Sequence, residues 1–85
     1  MTLEDIRKKV DQIDDKLLDL LSARFKLAKK AGLIKMKNSQ PVEDRDREKA
    51  IIDRVTLKTE QLNLPVNFIH SIFQMIVRES KKVQL

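Results

Sequence analysis

Between Leu3 and Lys37 nothing in the sequence stops a helix: there is no proline and one glycine, Gly32, over about 35 residues. Ile6, Val10, Ile13, Leu17, Leu20/Leu21, Leu27/Ala28, Ala31 and Ile34 recur at steps of three and four, which is one apolar face of a helix. Such a helix is roughly 50 Å long at 1.5 Å per residue. A compact chain of this size has a radius of gyration near ~12 Å and is only about 30 Å across. The rest of the chain is therefore too short to cover the stripe. The simplest remedy is a second copy whose long helix packs alongside. The expected fold is all-α, with three helices per chain (one long, two shorter) in an intertwined helical homodimer. A lone three-helix bundle is the alternative, and it leaves much of the stripe in water.

The remaining punctuation places the other helices. Asn38, Ser39, Gln40 and Pro41 form a loop. A second helix follows over about 43–62, carrying Ile51, Ile52, Val55 and Leu62 on one side. Asn63-Leu64-Pro65 breaks it, and Pro65 suits the start of a third helix over about 65–84. That helix carries Phe68, Ile69, Ile72, Phe73, Ile76 and Val77. Thr2 is a natural N-cap for the first helix, over about 3–37, with Asp5 completing most of a capping box. Gly32 should cost about 1 kcal/mol relative to Ala there; it marks either close packing or a weak point. All 85 residues read as one domain.

Composition removes several function classes. Without cysteine there is no disulfide scaffold, thiolate metal site or cysteine nucleophile, and one histidine, His70, is too few for an ordinary multi-histidine site. No apolar run is long enough to span a membrane. No secretory leader is expected, since Glu4, Asp5 and Arg7 interrupt the N-terminus. A reducing cytoplasm is the expected compartment. The net charge of +5 admits nucleic acid, an acidic membrane surface or a small anion as partner. Three phenylalanines with no Trp or Tyr argue against a base-stacking surface.

More telling are charges placed where the helix faces inward. At 100° per residue, Arg24 falls about 0° and Lys35 about 20° from Ile6, within the stripe. Lys9, Lys26, Lys29 and Lys30 lie off its centre and read as solvated charge. In the second helix Glu48 stands one turn before Ile51/Ile52, with Asp44 four residues earlier and Arg47 beside it. In the third, the series Ile69, Phe73, Ile76 runs on into Ser80 and then Gln84. Buried charges must pair or hold a ligand. An internal pair such as Arg24 with Glu48 is the plain reading. The excess of Arg24, Lys35 and Arg47 over Glu48 instead favours an anion with more than one negative group. Arg7 lies seventeen residues before Arg24, about 25 Å along the same helix. One chain cannot bring both to one small molecule; an antiparallel or crossed dimer can.

Ile-Arg-Lys-Lys-Val-Asp-Gln-Ile-Asp at 6–14, Leu-Leu-Ser-Ala-Arg at 20–24, Asp-Arg-Asp-Arg-Glu at 44–48 and the closing Ser80 and Gln84 resemble the all-helical, AroQ-class (type II) chorismate mutases along essentially the whole chain. The resemblance implies an interlocked homodimer with composite sites and no cofactor. It further implies that chorismate is isomerised to prephenate by a Claisen rearrangement in phenylalanine and tyrosine biosynthesis, with neither nucleic acid nor membrane as partner. By the same resemblance Arg24 and the partner's Arg7 clamp carboxylates, with Arg47 and Ser80 assisting. Lys35 and Gln84 donate to the ether oxygen, and Lys35 also touches a carboxylate. Glu48 accepts from the ring hydroxyl with help from Asp44, while Ala31, Ile51 and Val77 form apolar walls. Lys81 departs from the pattern, standing where an apolar wall residue is common. Two other readings remain: an isochorismate-pyruvate lyase on the same fold, and a basic helical dimer binding nucleic acid. His70 reads as a surface residue, since the implied chemistry transfers no proton.

Overall fold

The long helix forms without interruption. In a computed structural model describing residues 1–85, α1 spans Leu3–Lys37, α2 Arg45–Gln61 and α3 Val66–Lys82, with no strand. Thr2 and Asp5 close a full capping box at the start of α1: Thr2 Oγ1 accepts from the Asp5 N–H at 3.1 Å, and Asp5 Oδ2 accepts from the Thr2 N–H at 3.0 Å. The Thr2 backbone N–H, and after it the Thr2 hydroxyl, hold the Asp5 carboxyl below its usual pKa.

Both interhelical turns use the same device. The chain leaves α1 through Ser39 (φ 53) and α2 through Asn63 (φ 55), each left-handed. In each turn the following residue reaches back five positions: Gln40 N–H to the Lys35 carbonyl at 2.8 Å, and Leu64 N–H to the Thr59 carbonyl at 3.1 Å. These are Schellman closures with Ser and Asn where glycine usually sits. Asn tolerates that region well; Ser39 does so at some steric cost. Asp44 then caps α2, its Oδ1 accepting from the Arg47 N–H at 3.0 Å. Pro65 opens α3 with no side-chain cap.

α3 packs against both α1 and α2, while α1 and α2 do not pack on each other. The gap between them is floored by the end of α3, and it is there that the site lies. Ile51 and Val55 of α2 are buried, and Ile69, Ile72, Phe73, Ile76 and Val77 of α3 are half-buried against them. Leu62 and Phe68, expected on apolar faces, are exposed in the single chain. His70 is half-buried rather than superficial, bonded to Thr56 Oγ1 at 2.6 Å. Because Thr56 already donates to the Ile52 carbonyl at 2.7 Å, the imidazole Nε2 must be the donor. It clips α3 to α2.

The single chain is long and thinly packed. Its radius of gyration is 16.0 Å and its greatest extent 55 Å, well beyond the ~12 Å of a compact chain this size. Only 5 of 85 residues are buried, too few to hold a monomer by its core. Every residue from 1 to 20 is exposed, including Ile6, Val10, Ile13 and Leu17 of the apolar stripe.

Candidate active site

A cavity of about 360 Å³ fills the gap between α1 and α2, within the range of small-molecule sites. α1 contributes Arg24, Leu27, Ala28, Ala31 and Lys35; the loop and α2 contribute Val42, Asp44, Arg47, Glu48 and Ile51; α3 and the turn after it add Val77, Ser80, Lys81 and Gln84. Every candidate residue drawn from the sequence lines this cavity except Arg7, which stands on the exposed first half of α1.

Hydrogen bonds arrange these groups with little slack. Arg24 Nη1 donates to Ser80 Oγ at 2.6 Å, and Ser80 in turn donates to the Ile76 carbonyl at 2.7 Å. The buried serine's one O–H is thereby used within α3, and its oxygen steadies the guanidinium. Lys35 Nζ donates to the Val42 carbonyl at 2.9 Å and to Gln84 Oε1 at 2.7 Å. The Gln84 amide, its oxygen fixed on Lys35, donates one N–H to the Ser80 carbonyl at 3.0 Å. An ammonium has three N–H groups and a primary amide two, so Lys35 and Gln84 each keep about one for a ligand. The loop wraps around Lys35, whose carbonyl closes α1 while its ammonium holds Val42.

The pair of Arg24 with Glu48 does not form. Glu48 Oε1 instead meets Lys81 Nζ at 2.8 Å, with Glu43 Oε1 at 3.8 Å from the same ammonium. No carboxylate lies within salt-bridge distance of Arg24, Lys35 or Arg47. Partial burial pulls the Arg24 pKa down from its ordinary value, and the charges of Arg47 and Arg54 act in the same direction. Guanidinium still stays charged at any ordinary pH, so the two arginines stand in the cavity wall without an internal counterion. The hydrogen bond to Glu48 raises the Lys81 pKa, burial opposing it and the charges of Glu48 and Glu43 assisting.

Gly32, which the sequence left as close packing or weakness, marks close packing. It is buried, and a Cβ there would lie 2.7 Å from Gln84 Cα and 2.9 Å from the Gln84 carbonyl oxygen. The missing side chain admits the turn after α3 against α1, beside Lys35. Sequence reasoning overlooked Val42, whose contribution is a backbone carbonyl, and Leu27. The lone glycine in a long helix was the available signal for the approach of Gln84. α3 ends at Lys82, so Gln84 sits just past the helix rather than within it.

A helical cleft lined by four cations and two carboxylates carries a positive excess, the character of a site for a small anion. The chain belongs to the chorismate mutase type II family, whose pattern it matches over residues 6–85. It is 39% identical over 82 residues to a chorismate mutase of Methanocaldococcus jannaschii, covering 96% of this chain and 83% of that protein. It is also 35% identical over 82 residues to a bifunctional chorismate mutase/prephenate dehydratase of Buchnera aphidicola subsp. Schizaphis graminum, and 34% identical over 79 residues to one of Escherichia coli (strain K12). The chain spans only 21% and 20% of those two proteins, while 96% and 93% of its own length is matched.

Proposed function

We propose that this chain isomerises chorismate to prephenate by a Claisen rearrangement, in the route to phenylalanine and tyrosine, as a cytoplasmic homodimer with shared sites. One observation carries the reading above the others. Lys35 and Gln84, forty-nine residues apart, meet at 2.7 Å on the wall of a cation-rich pocket, and each keeps a donor free. Family membership favours this over the lyase and nucleic-acid readings.

Chorismate is a dianion with a ring hydroxyl and an enol-ether oxygen. Its rearrangement breaks the ether C–O bond and forms a C–C bond within one molecule, so the enzyme's tasks are conformational and electrostatic. Arg24, steadied by Ser80, binds one carboxylate, with Arg47 beside it. The free N–H groups of Lys35 and Gln84 converge on the ether oxygen as it gains negative charge; Lys35 also reaches a carboxylate. Glu48 accepts from the ring hydroxyl, and Asp44 fixes the start of the helix that carries it. Ala31, Ile51 and Val77 press the reacting atoms into a chair.

The dimer explains what a single chain leaves unfinished. Residues 3–21 of α1 hold six acidic and four basic side chains, whereas 22–37 hold six basic and none acidic. Two such helices attract when antiparallel and repel at their C-terminal halves when parallel. Antiparallel pairing covers the stripe from Ile6 to Leu17 and carries the partner's Arg7 toward the Arg24 region.

Loss of the diene absorbance of chorismate, with prephenate as product, tests the reaction; a folded protein that leaves chorismate unchanged refutes it. Sharing is tested by Arg7→Ala and Arg24→Ala, each expected to be folded and nearly inactive. Refolded together, they form mixed dimers with one intact site, and about a quarter of wild-type sites should return by random pairing. Mixtures that contain heterodimers yet stay inactive rule out the shared site.

A further inference from the structure

Lys81 is the pocket's one charged residue that the proposed chemistry leaves without a task. It projects from the last turn of α3, four residues after Val77 and next to Ser80. Its stem lines the main cavity, and its ammonium sits 2.8 Å from Glu48 Oε1. Glu48, Val77 and Lys81 also line a second cavity of about 170 Å³, with Ile52, Gln74 and Arg78 behind. The ion pair is thus a partition between two spaces, formed across α2 and α3. Side-chain exposures of 34% for Lys81 and 26% for Glu48 make it a partly shielded contact rather than a surface one.

We propose that Lys81 is a positioning residue of this site, the counterion that lets a carboxylate stand in a pocket meant for a dianion. The proposal rests on the mutase reading of the pocket. Glu48 is needed as an acceptor for the ring hydroxyl, yet its charge repels the two carboxylates that Arg24, Arg47 and Lys35 attract. With Lys81 on Oε1, that charge is offset and the carboxylate is held in one rotamer, leaving Oε2 to accept. Glu43, at 3.8 Å, is beyond hydrogen-bond distance of the ammonium, so Glu48 is the carboxylate that Lys81 holds.

The test is a double-mutant cycle on the full chain with chorismate as the probe. Lys81→Met keeps the stem that fills the partition and removes only the charge. Its KM should rise roughly three- to fivefold, the size of a partly exposed ion pair, while kcat falls less than twofold and the melting temperature is nearly unchanged. Lys81→Arg, which can restore the pair, should bring KM back to within about twofold of wild type. In a Glu48→Gln background there is no charge to offset, so adding Lys81→Met should change chorismate affinity, read by calorimetry, less than about 1.5-fold. An active wild type whose Lys81→Met variant keeps its KM overturns the proposal. So does an equal loss in both backgrounds, which would place Lys81 on the substrate itself. A folded wild type that neither binds nor converts chorismate removes the mutase reading, and this proposal with it.

Discussion

The two halves of α1 share one helix and one apolar stripe but stand in opposite circumstances. From Arg24 onward Arg24, Ala28, Ala31 and Lys35 line the cavity, although Leu27 and Ile34 stay exposed, and the two cations are held within 2.6–2.9 Å by Ser80, Val42 and Gln84. From Ile6 to Leu17 the same period faces water, with Ile13 56% and Leu17 55% exposed. Local propensity alone accounts for helix in both halves. Only the second half has its tertiary partners within the chain, and it is also the half without an acidic residue. A stripe partly covered within one chain at one end and open at the other suits an interface made between copies.

The largest test of that contrast is Ile13→Glu. On a face that stays in water the change should cost less than about 0.5 kcal/mol. On a face buried by a partner it strands a charge at a cost of several kcal/mol. The expected result is loss of the dimer in sedimentation, with collapse of helical circular dichroism and of activity. A monomer as stable as the parent would show that the first half of α1 has no partner.

In the second half, Lys35→Ala should leave the protein folded while lowering kcat at least ~10²-fold, as loss of a preorganised donor typically does. Near-normal turnover in stopped-flow or steady-state assays would remove Lys35 from the reaction.

Gly32→Ala separates packing from stability in the same half. Alanine improves helix propensity by about 1 kcal/mol, yet its Cβ meets Gln84 backbone at 2.7 Å. The melting temperature should therefore hold or change little. The displaced turn should lower kcat/KM about tenfold, the scale of a misplaced positioning contact. Unchanged kinetics would mean that the approach of Gln84 to α1 does not matter.

The smallest effect is expected at the cap of the exposed half, with Asp5→Asn. The Asp5 carboxyl has its pKa lowered in the folded chain by the Thr2 backbone N–H and hydroxyl, so its contribution is present above the ordinary carboxylate pKa and fades as pH falls through the lowered folded value. Melting curves of parent and variant should differ slightly at neutral pH and converge in acid. A difference that persists in acid would show that the charge is not what stabilises the cap.

Some of this is legible in the sequence. The inward angles of Arg24 and Lys35 follow from helical period, and both line the cavity. Asp44, Arg47 and Glu48 share it because one N-cap and the helical turn after it fix their spacing. Angles place a side chain on a face without choosing its partner, however. Glu48 was open to Arg24 by face and took Lys81 by distance. Leu62 and Phe68 fit apolar faces by period, yet nothing in the chain covers them. His70, without chemistry to do, became a clip between helices because Thr56 stands opposite.

The sequence by itself determined three helices, their caps and the stripe of α1, since hydrogen bonds and side-chain period within a helix involve residues only a few positions apart. Tertiary structure alone decided which charges meet. Whether Lys35 finds Gln84, or Arg24 finds Ser80, depends on how closely the end of α3 approaches α1 across more than forty residues of chain. A glycine permits that approach and two left-handed turns aim it, and no local pattern encodes the distance.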